Sequence, residues 1–281
     1  MDFYIGLSNG MKLKGVIISP GEKVRAMVIL IHGFGEHIGR YREWANLFAD
    51  RGVGFVGVDL PGHGHSPGRR GFIKNYNIIN EIIDILISTV SRTFPSVPLY
   101  LYGHSMGGAL ALRYLIKTNP KLNGAIITSP WLKLAFEPPK SRIALAKALN
   151  YILPWLVQPS GLKAKYISHD TEIVEQYKND PLGFGKISVR LFNIAMQSAD
   201  YVVKNSGELK IRTLLFHGGD DKITSLETSK EFAAGNGKTD FIVVEGGYHE
   251  LHNEAFKHQV FEKIMNWIDN KSSTNDFQNN V

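Results

Sequence analysis

Hydrophobic residues along the chain follow two alternating patterns. Short runs rich in Val, Ile, Leu and aromatic residues are followed by longer segments whose apolar residues recur every three or four positions. This alternation predicts parallel β-strands joined by helices that cover both faces of one sheet. The predicted strands are residues 26–31, 54–59, 98–102, 124–128, 212–216 and 240–244, and the predicted helices are residues 41–51, 77–93, 106–118, 226–234 and 253–270. Residues 3–7 and 12–18 flank the hairpin signal Asn9-Gly10 and complete a predicted sheet of eight strands, most of them parallel.

The interval from residue 131 to residue 210 interrupts this alternation. It contains helical pieces, such as residues 141–153, and an apolar cluster at residues 151–157. Because a structureless loop of this length is rare inside a compact domain, the interval predicts an inserted helical lid. The predicted organisation is therefore an α/β core of residues 1–130 and 211–270, a lid at 131–210, and a polar tail at 271–281 that we expect to be disordered.

Composition narrows the possible classes of protein. The 281 residues are 43% hydrophobic and 21% charged, as in ordinary globular proteins. Without cysteine, disulfides, thiolate catalysis and zinc–cysteine sites are excluded. No secretory signal or membrane-spanning run is apparent, so we expect a cytoplasmic protein. The net charge of +6 comes without a dense Lys/Arg run, so nucleic acid is not an expected partner.

The strongest motif is Gly-His-Ser-Met-Gly-Gly at residues 103–108, between a predicted strand and a predicted helix. A sharp turn there needs small residues two positions before and two after its apex, as Gly103 and Gly107 provide. The hydroxyl of Ser105 would then project from the sheet above a helix N-terminus, which favours developing negative charge. An incidental serine or a phosphate-binding loop would also fit the bare pattern, although the lysine of the nucleotide-binding type is missing. The strand–turn–helix context predicts that Ser105 is a nucleophile.

Hydrogen-bond donors for an oxyanion are expected at the end of a neighbouring strand. Directly after residues 26–31, Gly33 and Gly35 allow the backbone to turn so that the amide of Phe34 can point at the substrate oxygen. The amide of Met106, just after the nucleophile, would supply the second donor. The alternative interpretation is a glycine-rich loop without this role.

An acid and a base are expected after later strands, in the order Ser, Asp, His. An imidazole is needed to take the serine proton, and a carboxylate is needed to fix its tautomer. Asp220 and Asp221 follow the strand at 212–216, and His249 follows the strand at 240–244, with His252 three residues further on. Asp221 and His249 are the candidates, and Asp220 and His252 remain as rivals.

Together these motifs resemble those of monoacylglycerol lipases, which are grouped with lysophospholipases and "serine aminopeptidase" hydrolases. The resemblance extends from residue 3 to residue 270 and is carried by residues 32–37, 40–41, 59–66, 103–108, 129–130, 179–182 and 248–249. It implies the α/β-hydrolase fold, a catalytic triad of Ser105, Asp221 and His249, and oxyanion donors at the amides of Phe34 and Met106. It implies no cofactor and no metal.

The resemblance also suggests roles for three polar residues. Glu36, Arg40 and His252 would shape a polar pocket for the glycerol end of the substrate, with local support of the loops as the alternative. Phe34 departs from the family, which often has a small residue at this position. Because only the backbone amide serves the oxyanion, the chemistry would survive, and the bulky ring would narrow the acyl side.

The sequence therefore predicts a serine hydrolase that acts on monoacylglycerols or similar lipid esters, such as lysophospholipids or short acyl esters, through an acyl-enzyme. An aminopeptidase, an amidase or a general carboxylesterase on the same fold is the alternative, because fold does not fix substrate. A non-catalytic binding module is a third possibility, although such a module would usually have lost a triad member.

Charge and apolar residues in the predicted lid suggest a membrane contact. Residues 131–170 carry six Lys or Arg but only Glu137 and Asp170 as acidic residues, beside apolar residues such as Trp155 and Leu156. An apolar face with a basic rim would suit shallow docking onto anionic lipid. The alternative is that the apolar residues roof an acyl tunnel and the lysines keep the lid soluble.

Overall fold

The computed structural model describes residues 1–21, 23–136 and 139–270, so Glu137 and the predicted tail lie outside the described residues. The strands are β1 (Asp2–Gly6), β2 (Lys12–Ile18), β3 (Ala26–Ile31), β4 (Val53–Val58), β5 (Leu99–His104), β6 (Gly124–Thr128), β7 (Val157–Pro159), β8 (Lys186–Ser188), β9 (Thr213–Gly218) and β10 (Thr239–Val244). The α-helices are α1 (Arg42–Asp50), α2 (Asn77–Thr93), α3 (Met106–Thr118), α4 (Lys140–Ile152), α5 (Thr171–Asn179), α6 (Val189–Lys204), α7 (Leu226–Ala234) and α8 (Lys257–Asp269). Short 3-10 helices lie at Ile38–Tyr41, Ala164–Tyr166, Ser206–Glu208 and Leu251–Asn253.

Eight of the described strands form one sheet in the order β1-β2-β4-β3-β5-β6-β9-β10. The β1–β2 and β2–β4 pairs are antiparallel, and every other neighbouring pair is parallel. Parallel neighbours need crossover connections, which the helices between them supply. The predicted mostly parallel, eight-stranded α/β sheet is therefore confirmed.

Helices cover both faces of this sheet, and the side chains of β3 show how the faces divide. Met27, Ile29 and Ile31 point into a core that includes side chains of α2, α3, α6 and α7. Val28 and Leu30, one position out of phase, point into a second core with side chains of α1 and α8. Because successive side chains of a strand point to opposite faces, an entirely apolar run is buried on both sides.

Two strands run further than their apolar residues predict. β5 continues to His104, which pairs with Thr128 of β6, and β9 continues to Gly218, which pairs with Val244 of β10. The ladder of backbone hydrogen bonds does not depend on side-chain polarity, so it extends through the polar and glycine residues at these ends. Both extensions lie at the carboxyl edge of the sheet, where open α/β sheets bind ligands.

Between β6 and β9 the chain forms α4, α5, α6 and a small antiparallel pair, β7–β8. α4 lies where a helical piece is predicted. Side chains of α6, including Leu191 and Ala195, belong to the same core as α3. Packing therefore does not separate residues 131–210 as a body of their own, and the domain bounds stay a prediction.

Candidate active site

A strained turn joins β5 to α3. Ser105 lies between them with φ 52° and ψ −119°, a conformation that costs energy for a residue with a side chain. A Cβ atom at Gly103 would lie 2.8 Å from Cα of Gly108, and one at Gly107 would collide with the carbonyl oxygen of Ile31. Only glycine fits at these two positions, so the sequence holds the strained turn and presents the Ser105 hydroxyl.

Three side chains from distant parts of the chain meet at this turn. Oγ of Ser105 lies 2.9 Å from Nε2 of His249, and Nδ1 of His249 lies 2.8 Å from Oδ2 of Asp221. The serine follows β5, the aspartate follows β9 and the histidine follows β10, and all three are buried. Asp220 is exposed instead, and its amide donates to the carbonyl of Gly247. The structure thus brings Asp221, and not its neighbour, to the imidazole.

The carboxylate of Asp221 is held by more donors than the sequence indicates. Oδ1 accepts from the amides of Ile223 (2.7 Å) and Thr224 (3.0 Å), and Oδ2 accepts from the Thr224 hydroxyl (2.8 Å). His217, on β9, places its Nε2 3.3 Å from the same Oδ2. Burial alone would raise the pKa of Asp221, but the charges of His249 and His217 and the hydrogen bonds to these two imidazoles hold it well below its usual range. The group therefore stays ionised.

The tautomer of His249 follows from this neighbour. An ionised Asp221 can only accept, so Nδ1 of His249 carries a proton and Nε2 faces Ser105 with its lone pair. Burial opposes the charged form of His249, but the charge of Asp221 and the hydrogen bond to it raise its pKa above the ordinary value of 6.5. The imidazole is arranged to accept a proton at Nε2 and to be stabilised as an imidazolium.

The loop after β3, which carries the predicted oxyanion donor Phe34, lies beside Ser105. A Cβ atom at Gly33 would be 3.2 Å from Cβ of Ser105, so the two backbones pass closely. No group of the described residues accepts a hydrogen bond from the amide of Phe34 or of Met106. The Phe34 ring packs edge-on against Phe184, at 5.4 Å between centroids. Both amides thus lack an acceptor within the described residues, as the predicted role requires, and their role as oxyanion donors stays a prediction.

Glu36 and Arg40 are engaged with the protein itself. Oε1 of Glu36 accepts from the amide of Gly33 and from the hydroxyl of Tyr41 (2.9 Å). Burial and the charge of Glu250 raise the pKa of Glu36 to about 7. Nη2 of Arg40 lies 2.6 Å from Oε2 of Glu250, and its Nε lies 3.9 Å from Oε2 of Glu36. These contacts connect the loop after β3 to the loop that carries His249.

His252 packs against aromatic rings next to the site. Its ring stacks on Tyr41 at 4.6 Å and meets the ring of His104 edge-on at 5.2 Å. Burial lowers the pKa of His252 to about 4. The contacts of Glu36, Arg40 and His252 favour support of the loops, and a glycerol pocket made of these residues stays a prediction.

Sequence reasoning missed two further residues of the site. His217 and Thr224 both contact the carboxylate of Asp221. His217 could have been recognised from the sequence, because it lies four residues before Asp221 at the end of a strand.

Within the described residues, no group of three or more His, Asp or Glu side chains is arranged to hold a metal ion.

The sheet order, the strained serine turn and the Asp–His pair on the loops after β9 and β10 define a serine hydrolase with the α/β-hydrolase fold. The family model described as serine aminopeptidase, S33, matches residues 22–255. The chain belongs to this family.

Similar proteins support this assignment over most of the chain. The chain is 31% identical over 249 residues to phospholipase YtpA of Bacillus subtilis strain 168, which covers 87% of this chain and 95% of that protein. It is 33% identical over 254 residues to an uncharacterised abhydrolase domain-containing protein of Dictyostelium discoideum, which covers 89% of this chain and 27% of that protein. The crystal structure of a monoacylglycerol lipase from Paleococcus ferrophilus has a TM-score of 0.85 and 30% identity, and the match covers 92% of this chain and 99% of that one. The family resemblance carried by the motifs is thus confirmed.

Proposed function

We propose that this chain hydrolyses monoacylglycerols or similar lipid esters, such as lysophospholipids and short acyl esters, with Ser105 as nucleophile. The observation that carries the proposal is the hydrogen-bonded series from Asp221 through His249 to Ser105 at a strained strand–helix turn. The lipid part draws support from the similar proteins, which are named a phospholipase and a monoacylglycerol lipase.

The reaction proceeds in two halves. Oγ of Ser105 attacks the ester carbonyl while Nε2 of His249 takes its proton, and the amides of Phe34 and Met106 stabilise the oxyanion. The imidazolium of His249 then gives this proton to the departing alcohol oxygen, which leaves the acyl group on Ser105. In the second half, water attacks the acyl-enzyme while His249 takes a proton from it and returns one to Oγ, which releases the fatty acid. Asp221 stays ionised and stabilises the imidazolium throughout.

An aminopeptidase is the competing activity, since the family description names one. Such an enzyme would need an anionic group free to bind the α-amine of its substrate. Two buried carboxylates outside the triad, Glu36 and Glu250, raise the pKa of His249 by their charge, and both pair with Arg40, at 3.9 Å and 2.6 Å. Glu36 also accepts from the amide of Gly33. This engagement favours ester over aminoacyl substrates.

A hydrolysis panel separates these activities. It compares kcat/KM for monoacylglycerols of several chain lengths, lysophospholipids, nitrophenyl esters and aminoacyl amides. We expect the lipid esters to exceed the aminoacyl amides, and Ser105→Ala to lower turnover by about 10⁶-fold. A fluorophosphonate should label the wild-type chain at Ser105 and should not label the Ser105→Ala variant. Preferred cleavage of aminoacyl amides would refute the lipid assignment, and labelling at another residue would refute the nucleophile.

The predicted lid exposes apolar surface that could contact a membrane. Large apolar side chains are exposed on α4 and in the residues that follow it, and we call them the lid patch: Leu145, Tyr151, Ile152, Leu153, Trp155, Leu156 and Val157. Exposed Lys147, Lys163 and Lys165 belong to the same stretch of the chain. Contiguous exposed apolar surface commonly marks an interaction site. No helix in the described ranges is long and apolar enough to cross a membrane.

The lid patch therefore docks onto anionic lipid as a shallow, peripheral contact, in a protein of the cytoplasm. Apolar side chains enter the boundary between head groups and acyl chains, and the lysines meet the anionic head groups. Trp155 and Leu156 support this over the role of a roof, because 45% and 43% of their surface is exposed. A residue that only closed an acyl tunnel would be covered by the tunnel walls.

A further inference from the structure

Both polar groups of Gly33 are held by side chains of the chain itself. The carbonyl oxygen of Gly33 lies 2.8 Å from Nδ1 of His32, and its amide donates to Oε1 of Glu36. Gly33 is the residue before Phe34, whose amide is one of the two proposed oxyanion donors. The contacts of His32 and Glu36 with Gly33 therefore affect the orientation of the Phe34 amide.

The tautomer of His32 can be assigned from its two contacts. Nε2 lies 2.9 Å from the backbone nitrogen of Leu60, which can only donate, so Nε2 is the acceptor. In the neutral ring Nδ1 then carries the proton, and it donates to the carbonyl of Gly33. His32 is fully buried, and burial lowers its pKa to about 4. The ring stays neutral, and this single tautomer persists, at every pH near neutrality.

The planarity of the peptide bond carries this constraint to Phe34. The carbonyl of Gly33 and the amide N–H of Phe34 belong to one planar, trans peptide unit, in which the two bonds point in opposite directions. A donor that fixes the direction of the carbonyl thus fixes the direction of the N–H. Hydrogen bonding to the carbonyl also polarises the peptide, and this strengthens the N–H as a donor.

We propose that His32 is a positioning residue for the oxyanion hole, which acts by holding the Gly33–Phe34 peptide so that the Phe34 amide faces the substrate oxygen at Ser105. Glu36 completes the arrangement from the other side, because its bond to the Gly33 amide resists rotation about the neighbouring peptide. His32 itself does not touch the substrate. This role rests on the proposed acyl-transfer function, since an oxyanion forms only if Ser105 attacks a carbonyl.

Two substitutions separate the contacts of His32. In His32→Asn the amide nitrogen can take the place of Nδ1 and still donate to Gly33, but the acceptor for Leu60 is lost. In His32→Gln the amide oxygen can take the place of Nε2 and still accept from Leu60, but the donor to Gly33 is lost. We measure kcat, KM and the thermal midpoint of both variants, with a soluble nitrophenyl ester as substrate and a boronic acid as a transition-state analogue.

We expect His32→Asn to keep kcat within about tenfold of wild type and His32→Gln to lose up to about 10²-fold in kcat. Misplacing a donor that acts only in the transition state lowers kcat without raising KM. The boronic acid should bind more weakly to His32→Gln in proportion. A purely structural role predicts instead that kcat follows the thermal midpoint. Equal losses of kcat, the reverse ranking, or a loss confined to KM would overturn the proposal.

A measurement on the wild-type chain covers the case in which neither variant folds. Nitrogen NMR of the labelled imidazole should show His32 neutral from pH 5 to pH 8, with the proton on Nδ1. A proton on Nε2, or titration within that range, would overturn the proposal. This measurement does not need turnover, so its failure is distinct from a failure of the wild-type chain to hydrolyse esters.

Discussion

Nε2 of His217 lies 3.3 Å from Oδ2 of Asp221, the same oxygen that lies 2.8 Å from Nδ1 of His249. Two imidazoles therefore share one carboxylate oxygen. The other nitrogen of His217 lies 2.8 Å from the hydroxyl of Ser229, on α7, which anchors the ring. The carboxylate of Asp221, the proposed orienting acid, is thus held by His217 as well as by the base, His249.

This arrangement predicts that Asp221→Asn lowers kcat by about 10⁴-fold, because an amide group opposite Nδ1 of His249 favours the wrong tautomer. Asp220→Asn is the matched control, with an expected loss of less than about tenfold, since its carboxylate is exposed. Both variants are assayed on a soluble ester, with the thermal midpoint as a check on folding. The opposite ranking would show that Asp220 is the orienting acid.

The pH dependence of kcat/KM should respond to Glu250. The reaction needs neutral His249, so activity falls as pH drops through the pKa of that group, which Asp221, Glu250 and Glu36 raise against the effect of burial. Glu250→Gln removes a negative charge, which makes the imidazolium less favourable and lowers the pKa of His249. The acid limb of the profile should therefore move to lower pH.

Glu43→Gln is the control for this shift. The Glu43 side chain is 83% exposed and pairs with Lys257, so its charge is screened by water and the acid limb should stay in place. An acid limb that moves to higher pH in Glu250→Gln, or that does not move, would contradict the electrostatic assignment.

Local sequence patterns were sufficient to predict the strands, turn and loops that position the proposed triad. The turn at Ser105 and the loops after the last two strands follow from short apolar runs and glycines, which act over a few residues. β7 and β8 could not be predicted, because strands of three residues are too short to show a period. α5 left a signal that was overlooked, since the side chain of Asp170 caps its first amides.

The partners of the site residues could not be predicted for a different reason. Arg40 and Glu250 are 210 residues apart in the chain, and their 2.6 Å contact depends on how two loops meet at the edge of the sheet. The sequence could therefore suggest a polar role for Arg40 but could not distinguish a ligand pocket from an internal ion pair. The same limit applies to His32, because the contact that assigns its tautomer joins it to Leu60, 28 residues away in the chain.

Gly35 offers a test of the loop that carries the proposed oxyanion donor. Its φ is +74°, and a Cβ atom there would collide with the carbonyl oxygen of Phe184, whose amide donates to the Gly35 carbonyl (3.1 Å). Gly35→Ala should therefore lower the free energy of unfolding by about 1–3 kcal/mol and lower kcat, because the loop must move. Thermal denaturation and ester turnover measure the two effects.

Gly237→Ala is the matched control, because its Cβ atom would have no neighbour within 4 Å and its φ is not positive. We expect it to change the free energy of unfolding by no more than about 0.5 kcal/mol and to leave kcat unchanged. If Gly35→Ala behaves like this control, the loop does not need glycine and the constraint on Phe34 is weaker than the backbone indicates.

The lid patch should determine how strongly the chain binds anionic membranes. Trp155→Ser combined with Leu156→Ser removes two large, exposed apolar side chains, so it should weaken binding to vesicles that contain anionic lipid. Turnover of a soluble short ester should stay near the wild-type value, because the substrate then does not have to leave a membrane. Salt should weaken vesicle binding of the wild-type chain, since the contribution of the lysines is screened. Vesicle co-sedimentation at two ionic strengths measures both effects.

Tyr4→Ser is a matched control, because Tyr4 is also a large exposed aromatic residue, 66% accessible, but lies on β1 and not in the lid. If the patch docks, this variant binds vesicles like the wild-type chain while the double variant does not. Equal losses in both variants would mean that any exposed aromatic residue contributes to nonspecific adsorption. If the double variant binds vesicles normally but hydrolyses long-chain monoacylglycerols more slowly, its side chains contact the acyl chain within the protein. The patch would then be part of the substrate path, and the basic charge of the chain would have no bearing on membranes.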